Sequence, residues 1–423
     1  MNAFGKRNGL AYGLLGLPLA FVALPLYVIL PNYYAKEFGV PLAVLGAVLL
    51  GARLFDAFID PLLGRLRDRL FARSSGSGLA AGAAAAMVLY LGFALLFFPK
   101  VKSMNALVVW ASVVLVITYA AYSFLSVSHQ SWGAMLGGNE AERSRIVAWR
   151  EALGLIGVVM ASVMPVAFGM PATTAVFFIV LGIGWFAWTR AVQPVAKKGE
   201  APAPGAIWRP FKHSNFKRLL LVFMLNGTAS AVPATLILFF IQDRLQVSSS
   251  MEPLFLGSYF LAAALSIPLW LAIVKRIGLA KTWVCGMGLS IAVFGWAASI
   301  GSGQATAFLV ICALSGVAVG TDLALPGAML AGVIQGNGDS GTSEGAYFGW
   351  WNFAIKLNLA LAAGLALPML GLFGYAPGVR SPEALQALVV AYCVLPCALK
   401  LAASAALYFL IIQPTTALPK AAP

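Results

Sequence analysis

Charge is scarce in this chain. Of its 423 residues only 10% are charged, with 14 acidic side chains, 28 basic ones and two histidines. Water-soluble domains carry about 25%, so a soluble globular fold is excluded. Cysteine is nearly absent, and Cys285, Cys312, Cys393 and Cys397 each fall in an apolar run. Neither a disulfide framework nor a thiolate metal set is expected, and Cys393 and Cys397 read as small packing residues on one helix face. There is no nucleophile–base pair, no metal cluster and no phosphate-cradling loop, which argues against an enzyme. The glycine-rich run Gly336-Asn337-Gly338-Asp339-Ser340-Gly341 reads as a turn between helices. No segment is long enough to form the soluble domain of a sensor. The polar start Met1 to Asn8 is followed by an apolar run too long for a signal-peptide core, so no removable leader is expected.

What the chain has in abundance is apolar length. It is 61% hydrophobic, with a mean hydropathy of +0.89. About 20 apolar residues cross a bilayer as a helix. By that rule twelve spans are expected, at 10–34, 41–64, 78–98, 104–134, 146–169, 173–191, 218–242, 253–274, 281–300, 305–335, 346–374 and 384–412. The longer ones must tilt or protrude. One long polar break separates them, carrying Lys197, Lys198, Glu200 and the run Pro202-Ala203-Pro204-Gly205. It reads as a flexible linker with a short basic surface segment. The predicted layout is an all-α membrane protein of two pseudo-symmetric six-helix bundles, at 1–192 and 218–423, joined by a cytoplasmic linker at 193–217. The loop after the second span, Gly64 to Arg69, is echoed weakly after the eighth, Val274 to Lys281. Two related bundles are the layout of a transporter that rocks about a midplane site.

The net charge of +14 is a topology signal. Lys6 and Arg7, Arg65 to Arg73, Arg143 and Arg145, the residues around the linker, and Lys275, Arg276 and Lys281 all fall on one side of the twelve-span layout. The other side has only Lys36, Lys100, Lys102, Arg244 and Arg380. The excess of Lys and Arg marks the cytoplasmic side. Both termini are therefore expected in the cytoplasm, with the chain in the inner membrane, and no nucleic-acid partner is expected.

Eight ionisable residues remain at membrane depth: Arg53, Asp56, Asp60, Arg150, Glu151, Asp322, Lys356 and Lys400. A charge there is costly, and it marks function unless it is paired. Asp56 and Asp60 are one helical turn apart and point the same way, with Arg53 a turn earlier. Two close carboxylates cannot both ionise cheaply, so the pair suits a proton or a small cation. A buried Arg–Asp ion pair with a spare acid is the structural alternative. Pro61 can kink the helix and free a carbonyl. Asp322 lies on another proline-interrupted span. Lys356 has no acid nearby in sequence, and Asp56 or Asp60 is its candidate partner, a static tether being the alternative. Arg150 and Glu151 read as snorkelling near a helix end. Lys400 either snorkels or meets a carbonyl.

At these residues the chain resembles the glycoside–pentoside–hexuronide:cation symporter (melibiose permease-like) family of the major facilitator superfamily. Ala52-Arg53, Asp56-Ala57 and Asp60-Pro61 match its helix-two cation motif, the most specific block. Tyr12-Gly13, Glu142-Arg143 with Arg150, and Glu344 through Lys356 resemble further blocks, so the likeness spans nearly the whole chain. The resemblance implies that Asp56 and Asp60 bind the coupling cation with Lys356 nearby. It also implies that Gly64, Asp68 and Arg69 form a gating loop, in which Asp68 accepts contacts from neighbouring helix ends.

The chain departs from that pattern at three places. The family's sugar-binding acids are missing, with Ala20 at the first position and Ser123-Phe124-Leu125 near the second. Loss of such acceptors is heavily penalised for a polar ligand, so a solute less polar than a simple sugar, an amphiphile included, is expected, and a glycoside is the default alternative. Ile59 replaces the asparagine of sodium-using members. Sodium needs several oxygens and a proton needs one carboxylate, so H+ is favoured over Na+ as coupling ion. The expected function is secondary active transport by alternating access; a lipid or lysolipid flippase loading cargo from the bilayer is the rival. Tyr122, Arg150, Asp322, Trp351, Asn352 and Lys356 are the candidate substrate or coupling residues beside Arg53. His129 reads as a packing residue. No metal and no other cofactor is expected, membrane lipids are the only other partner, and a monomer is expected.

Overall fold

The computed structural model describes residues 4–194, 206–376 and 378–414. Lys197, Lys198, Glu200 and Pro202 to Gly205 of the linker lie outside the described residues. Among the described residues the chain is helical throughout, with no strand. Eleven long rods follow one another: α1 Lys6–Phe38, α2 Leu42–Arg73, α3 Ser75–Phe97, α4 Met104–Met135, α5 Glu140–Thr189, α6 Ser214–Leu245, α7 Glu252–Ile277, α8 Leu279–Ala297, α9 Ala305–Gly336, α10 Glu344–Leu372 and α11 Pro382–Ile412. All but α2 are apolar and long enough to cross a membrane by length and composition alone, and α2 carries the charged block Arg53 to Asp60.

At 50 residues, α5 would be about 75 Å long, more than twice a bilayer core. Its backbone breaks at Gly169, where φ is 75° and ψ is 171°, between Pro165 and Pro171. Only glycine adopts that conformation without strain. Two helical stretches result, 140–168 and 170–189, over the spans expected at 146–169 and 173–191. Proline also loosens other rods: a π-turn opens at Pro25–Ile29 in α1, because a ring that lacks an N–H cannot complete the regular ladder.

The described chain packs as two compact units. One is built from the described residues of Met1–Lys212 together with Ala331–Phe353; the other from His213–Leu330 and Ala354–Pro423. The expected boundaries followed chain order alone, whereas packing assigns 331–353, the end of α9 and the start of α10, to the first unit.

In the first unit, glycines set the spacing of α1 against α5. A side chain at Gly16 would meet the Arg150 backbone carbonyl oxygen at 2.7 Å, and one at Gly13 would meet that of Trp149 at 2.7 Å. Small residues thus bring the two backbones together, the usual device where lipid offers no hydrophobic drive. Helix α1 also clasps α4: Tyr12 Oη donates to the His129 carbonyl at 3.0 Å, and the His129 Nε2 lies 2.7 Å from the Tyr12 carbonyl. His129 is fully buried against Tyr12 and Trp188, in a packing position.

In the second unit a polar knot joins four helices. Lys400 of α11 does not snorkel. Its ammonium donates to Asn226 Oδ1 at 2.8 Å, Ser230 Oγ at 3.0 Å and Asp322 Oδ2 at 3.1 Å. Asp322 also accepts from Asn226 Nδ2 at 2.9 Å, Ser230 Oγ at 3.0 Å and Trp283 Nε1 at 2.8 Å. All three ammonium protons and both carboxylate oxygens have partners, which is what a charge pair needs out of water.

Removing one member leaves the other charge buried. Asp322→Ala is expected to cost about 3–5 kcal/mol, read as a drop in thermal unfolding temperature of the purified protein in detergent. The double change Asp322→Leu with Lys400→Met should cost less than Asp322→Ala alone; an equal or larger loss would contradict the pairing.

Candidate functional site

Helix α2 has one lipid-like face and one polar face. Leu50, Leu54, Phe58, Leu62 and Leu66 are exposed. Asp56, Asp60, Gly64, Arg67, Asp68 and Phe71 are buried, spaced by three or four residues along one stripe. Both aspartates therefore point into the first unit, at 1% and 0% exposure. Ser123 of α4 donates its hydroxyl to Asp56 Oδ1 at 2.6 Å. Arg53 lies at the edge of the stripe, its guanidinium 4.8 Å above the Tyr27 ring and 3.4 Å from the Tyr27 carbonyl oxygen. Tyr122 is half-buried on α4, within electrostatic reach of Asp56, Asp60 and Glu151. One face of α1, α2, α4 and α5 thus gathers Tyr27, Arg53, Asp56, Asp60, Tyr122, Arg150 and Glu151.

Arg150 and Glu151 differ from the expected snorkelling. Arg150 lies ten residues into α5 from Glu140, about 15 Å from the helix start. At that depth the pair closes on itself: Arg150 Nε donates to Glu151 Oε1 at 2.9 Å. Elsewhere in the first unit, Gln130 Nε2 donates to Asn352 Oδ1 at 3.2 Å, with Trp351 and Asn352 both buried. Asp322 is held by Lys400, as described above. Lys356 is half-buried on α10.

Further along the stripe, α2 meets the start of α10 backbone to backbone. Gly64 packs on the Gly345 carbonyl so closely that any side chain there would overlap it. The Asp68 carboxylate then receives the first amides of α10, from Gly345 N–H at 2.7 Å and Ala346 N–H at 2.9 Å. An acid at a helix N-terminus satisfies donors that have no partner within the helix and sits at the positive end of its dipole. Arg67 locks the acid in place, donating to Asp68 Oδ1 at 3.0 Å, lying 3.9 Å from Glu344 and stacking 4.0 Å over the Phe71 ring. Arg69, the third member of the expected gating trio, is exposed. Residue 69 falls off the buried stripe and residue 67 falls on it. Helical spacing from Asp60 would have selected Arg67.

The turn before α10 is also more than a turn. Asp339 is fully buried, receives Arg209 Nε at 2.7 Å and accepts the Tyr347 hydroxyl at 2.8 Å. Trp350 Nε1 donates to the Ile207 carbonyl at 2.8 Å. The described later part of the linker, at Ile207 and Arg209, is thereby seated against Asp339 and the first turns of α10.

The profile of the family described as MFS/sugar transport protein matches residues 9–413. The chain belongs to this family. The buried acids and the paired charges therefore sit in a membrane transporter rather than an enzyme. Among relatives, an uncharacterized symporter, YjmB, of Bacillus subtilis is 24% identical over 85% of this chain and 83% of its own length. A putative sulfoquinovose importer of Salmonella typhimurium is 23% identical over 89% of this chain and 83% of its own. A putative glycoside/cation symporter, YagG, of Escherichia coli is 25% identical over 37% of this chain and 34% of its own. Among solved structures, a bacterial homologue of the iron transporter ferroportin, in an outward-facing state, superposes with a TM-score of 0.70. It is 15% identical and covers 97% of this chain and 99% of that one. The major facilitator transporter FucP, in an outward conformation, gives 0.68 at 14% identity, over 95% and 99%. At such identities the likeness establishes the fold alone, an all-α fold of the major facilitator type, and the family match makes the chain a multi-pass membrane protein.

The cap on α10 can be tested directly. Asp68→Asn removes the charge that two amides share, and hydrogen bonds to charged groups contribute about 1.5–3 kcal/mol. Hydrogen–deuterium exchange at Gly345 and Ala346 should quicken by about tenfold or more; unchanged exchange would show that the acid does not hold this helix end.

Proposed function

We propose that this chain is a symporter that moves an organic solute by alternating access, driven by a cation bound at Asp56 and Asp60. The observation that carries this reading is the burial of both carboxylates on the inward stripe of α2, in a family of transporters whose relatives are named symporters. Two acids this close, out of water, favour sharing a proton or a cation over holding two charges. The proton is the favoured ion, because Ile59 stands where an additional oxygen ligand for sodium would be needed. Arg53 and Tyr122 flank the acids, Lys356 serves as a coupling residue, and the capped start of α10 serves as a gate. The two halves, 1–192 and 218–423, are the bodies that move. The distribution of basic residues supports the cytoplasmic inner membrane with both termini inside. The symporter and importer names of the relatives favour this reading over a lipid flippase.

The test is uptake by the full-length protein in proteoliposomes under an imposed pH gradient, with and without sodium. Proton movement without a sodium requirement is expected; strict sodium dependence without proton movement would refute proton coupling. Asp56→Asn and Asp60→Asn should each abolish concentrative uptake while the protein remains folded, and concentrative uptake retained by both would discard the cation site. Lys356→Ala should impair coupling, with full activity reducing Lys356 to a tether.

A further inference from the structure

The junction of α2 with α10 is crossed by a third piece of chain. Residues 206–208 form a short helical turn that packs against α2, and a second turn follows at Arg209–Lys212. The same segment lies on the first turns of α10. Trp350 Nε1 donates to the Ile207 carbonyl at 2.8 Å. The Trp208 and Phe211 rings each lie 4.9 Å from the Trp350 ring, Phe211 edge-on. Trp350 in turn stands 5.5 Å from Phe353, which meets Phe58 of α2 at 5.8 Å. One aromatic row therefore runs from the linker over α10 to α2. Rings at these spacings attract beyond the area they bury. The segment thus touches both helices that meet where Gly64 rests on the Gly345 carbonyl.

Its fastening is polar. Asp339 organises the turn before α10: its carbonyl accepts the Thr342 and Ser343 amides, each at 3.2 Å. Its carboxylate takes the Tyr347 hydroxyl on one oxygen and Arg209 on the other, the latter through both Nε and Nη2. Asn337 Nδ2 adds a tie, donating to the Tyr347 hydroxyl at 3.2 Å. Asp68 holds Gly345 and Ala346 from α2. Asp339, bound to Arg209, holds Tyr347 in the same turn from the linker side. The ion pair is asymmetric. The Asp339 side chain is fully buried, whereas that of Arg209 is 48% exposed. Water can take over the guanidinium when the segment lifts, while the acid stays inside the protein and loses a cationic partner. That penalty favours the seated position, and the exposed half makes release possible.

We propose that residues 206–211 are a strap that holds the start of α10 against α2, with Arg209 as its releasable hook and Asp339 as the catch. The strap rests on the reading above in which the start of α10 is a gate, and it adds the element that sets how readily that gate opens. The later part of the linker is then a working part of the transporter rather than a passive connection. Lifting it removes the contacts of Trp208, Phe211 and Arg209 together, and the junction shifts toward its open state by whatever those contacts contributed to the closed one.

The experiment is hydrogen–deuterium exchange on the full-length protein in lipid nanodiscs, read at Gly345 and Ala346, with Asn226 of α6 as reference. Arg209→Ala and Trp208→Ala should each quicken exchange at Gly345 and Ala346, Arg209→Ala by about tenfold, with exchange at Asn226 unchanged. Arg209→Lys keeps the charge and should recover part of the protection. Lys212→Ala removes an exposed charge from the same segment and should match the wild type. Arg209→Ala combined with Asp339→Asn should quicken exchange by less than the product of the two single effects, because both break one contact. A merely structural segment would lower the unfolding temperature and quicken exchange at Asn226 as much as at Gly345. That result overturns the strap, as does unchanged exchange in both Arg209→Ala and Trp208→Ala. If Asp68→Asn quickens exchange while the strap variants do not, the strap falls and the gate stands. If Gly345 and Ala346 exchange only with global unfolding in every variant, the start of α10 is not a gate and both fall.

Discussion

An ionised group in hydrocarbon has no water to share its charge, and several charged side chains of the described helices are placed under that constraint. Asp56 and Asp60 turn inward on α2, and Asp56 takes a hydroxyl from Ser123. Lys400 and Asp322 neutralise each other and satisfy their remaining bonding capacity with Asn226, Ser230 and Trp283. Arg150 folds onto its own neighbour. Apolar residues cover the opposite face of α2.

These groups fall into two kinds. The knot around Lys400 is closed: its donors and acceptors are matched within the unit, so it has no capacity left for a guest. A closed pair contributes specificity of packing, and removing one half is expensive while replacing both is cheap. The Arg150–Glu151 pair, by contrast, stays partly exposed, at 15% and 26% of its two side chains.

Local periodicity carried much of this in the sequence. The i, i+4 spacing of Asp56 and Asp60 sufficed to place them on one face, and apolar run length sufficed for the crossings, including the break near Gly169 between two prolines. What sequence could not supply was partnership over distance. Lys400 and Asp322 are 78 positions apart and on different helices, so no local pattern joins them. Arg67 and Arg69 look alike in a run of basic residues, and only the phase of the helix distinguishes the inward one. Asp339 sits in a glycine-rich stretch that reads as a plain turn; its burial depends on Arg209, which is 130 positions away. Arg150 and Glu151 read as near a helix end because the apolar run begins near 146, whereas the helix itself starts at Glu140.

The meeting of Gly64 with the Gly345 carbonyl has an entropic consequence. Contacts between long side chains freeze rotamers each time they form, at up to about 2 kcal/mol for the most flexible residues. Two glycine backbones have no rotamers to freeze. A junction made this way freezes no rotamers, so what holds it is chiefly the Asp68 carboxylate and the two amides it accepts from.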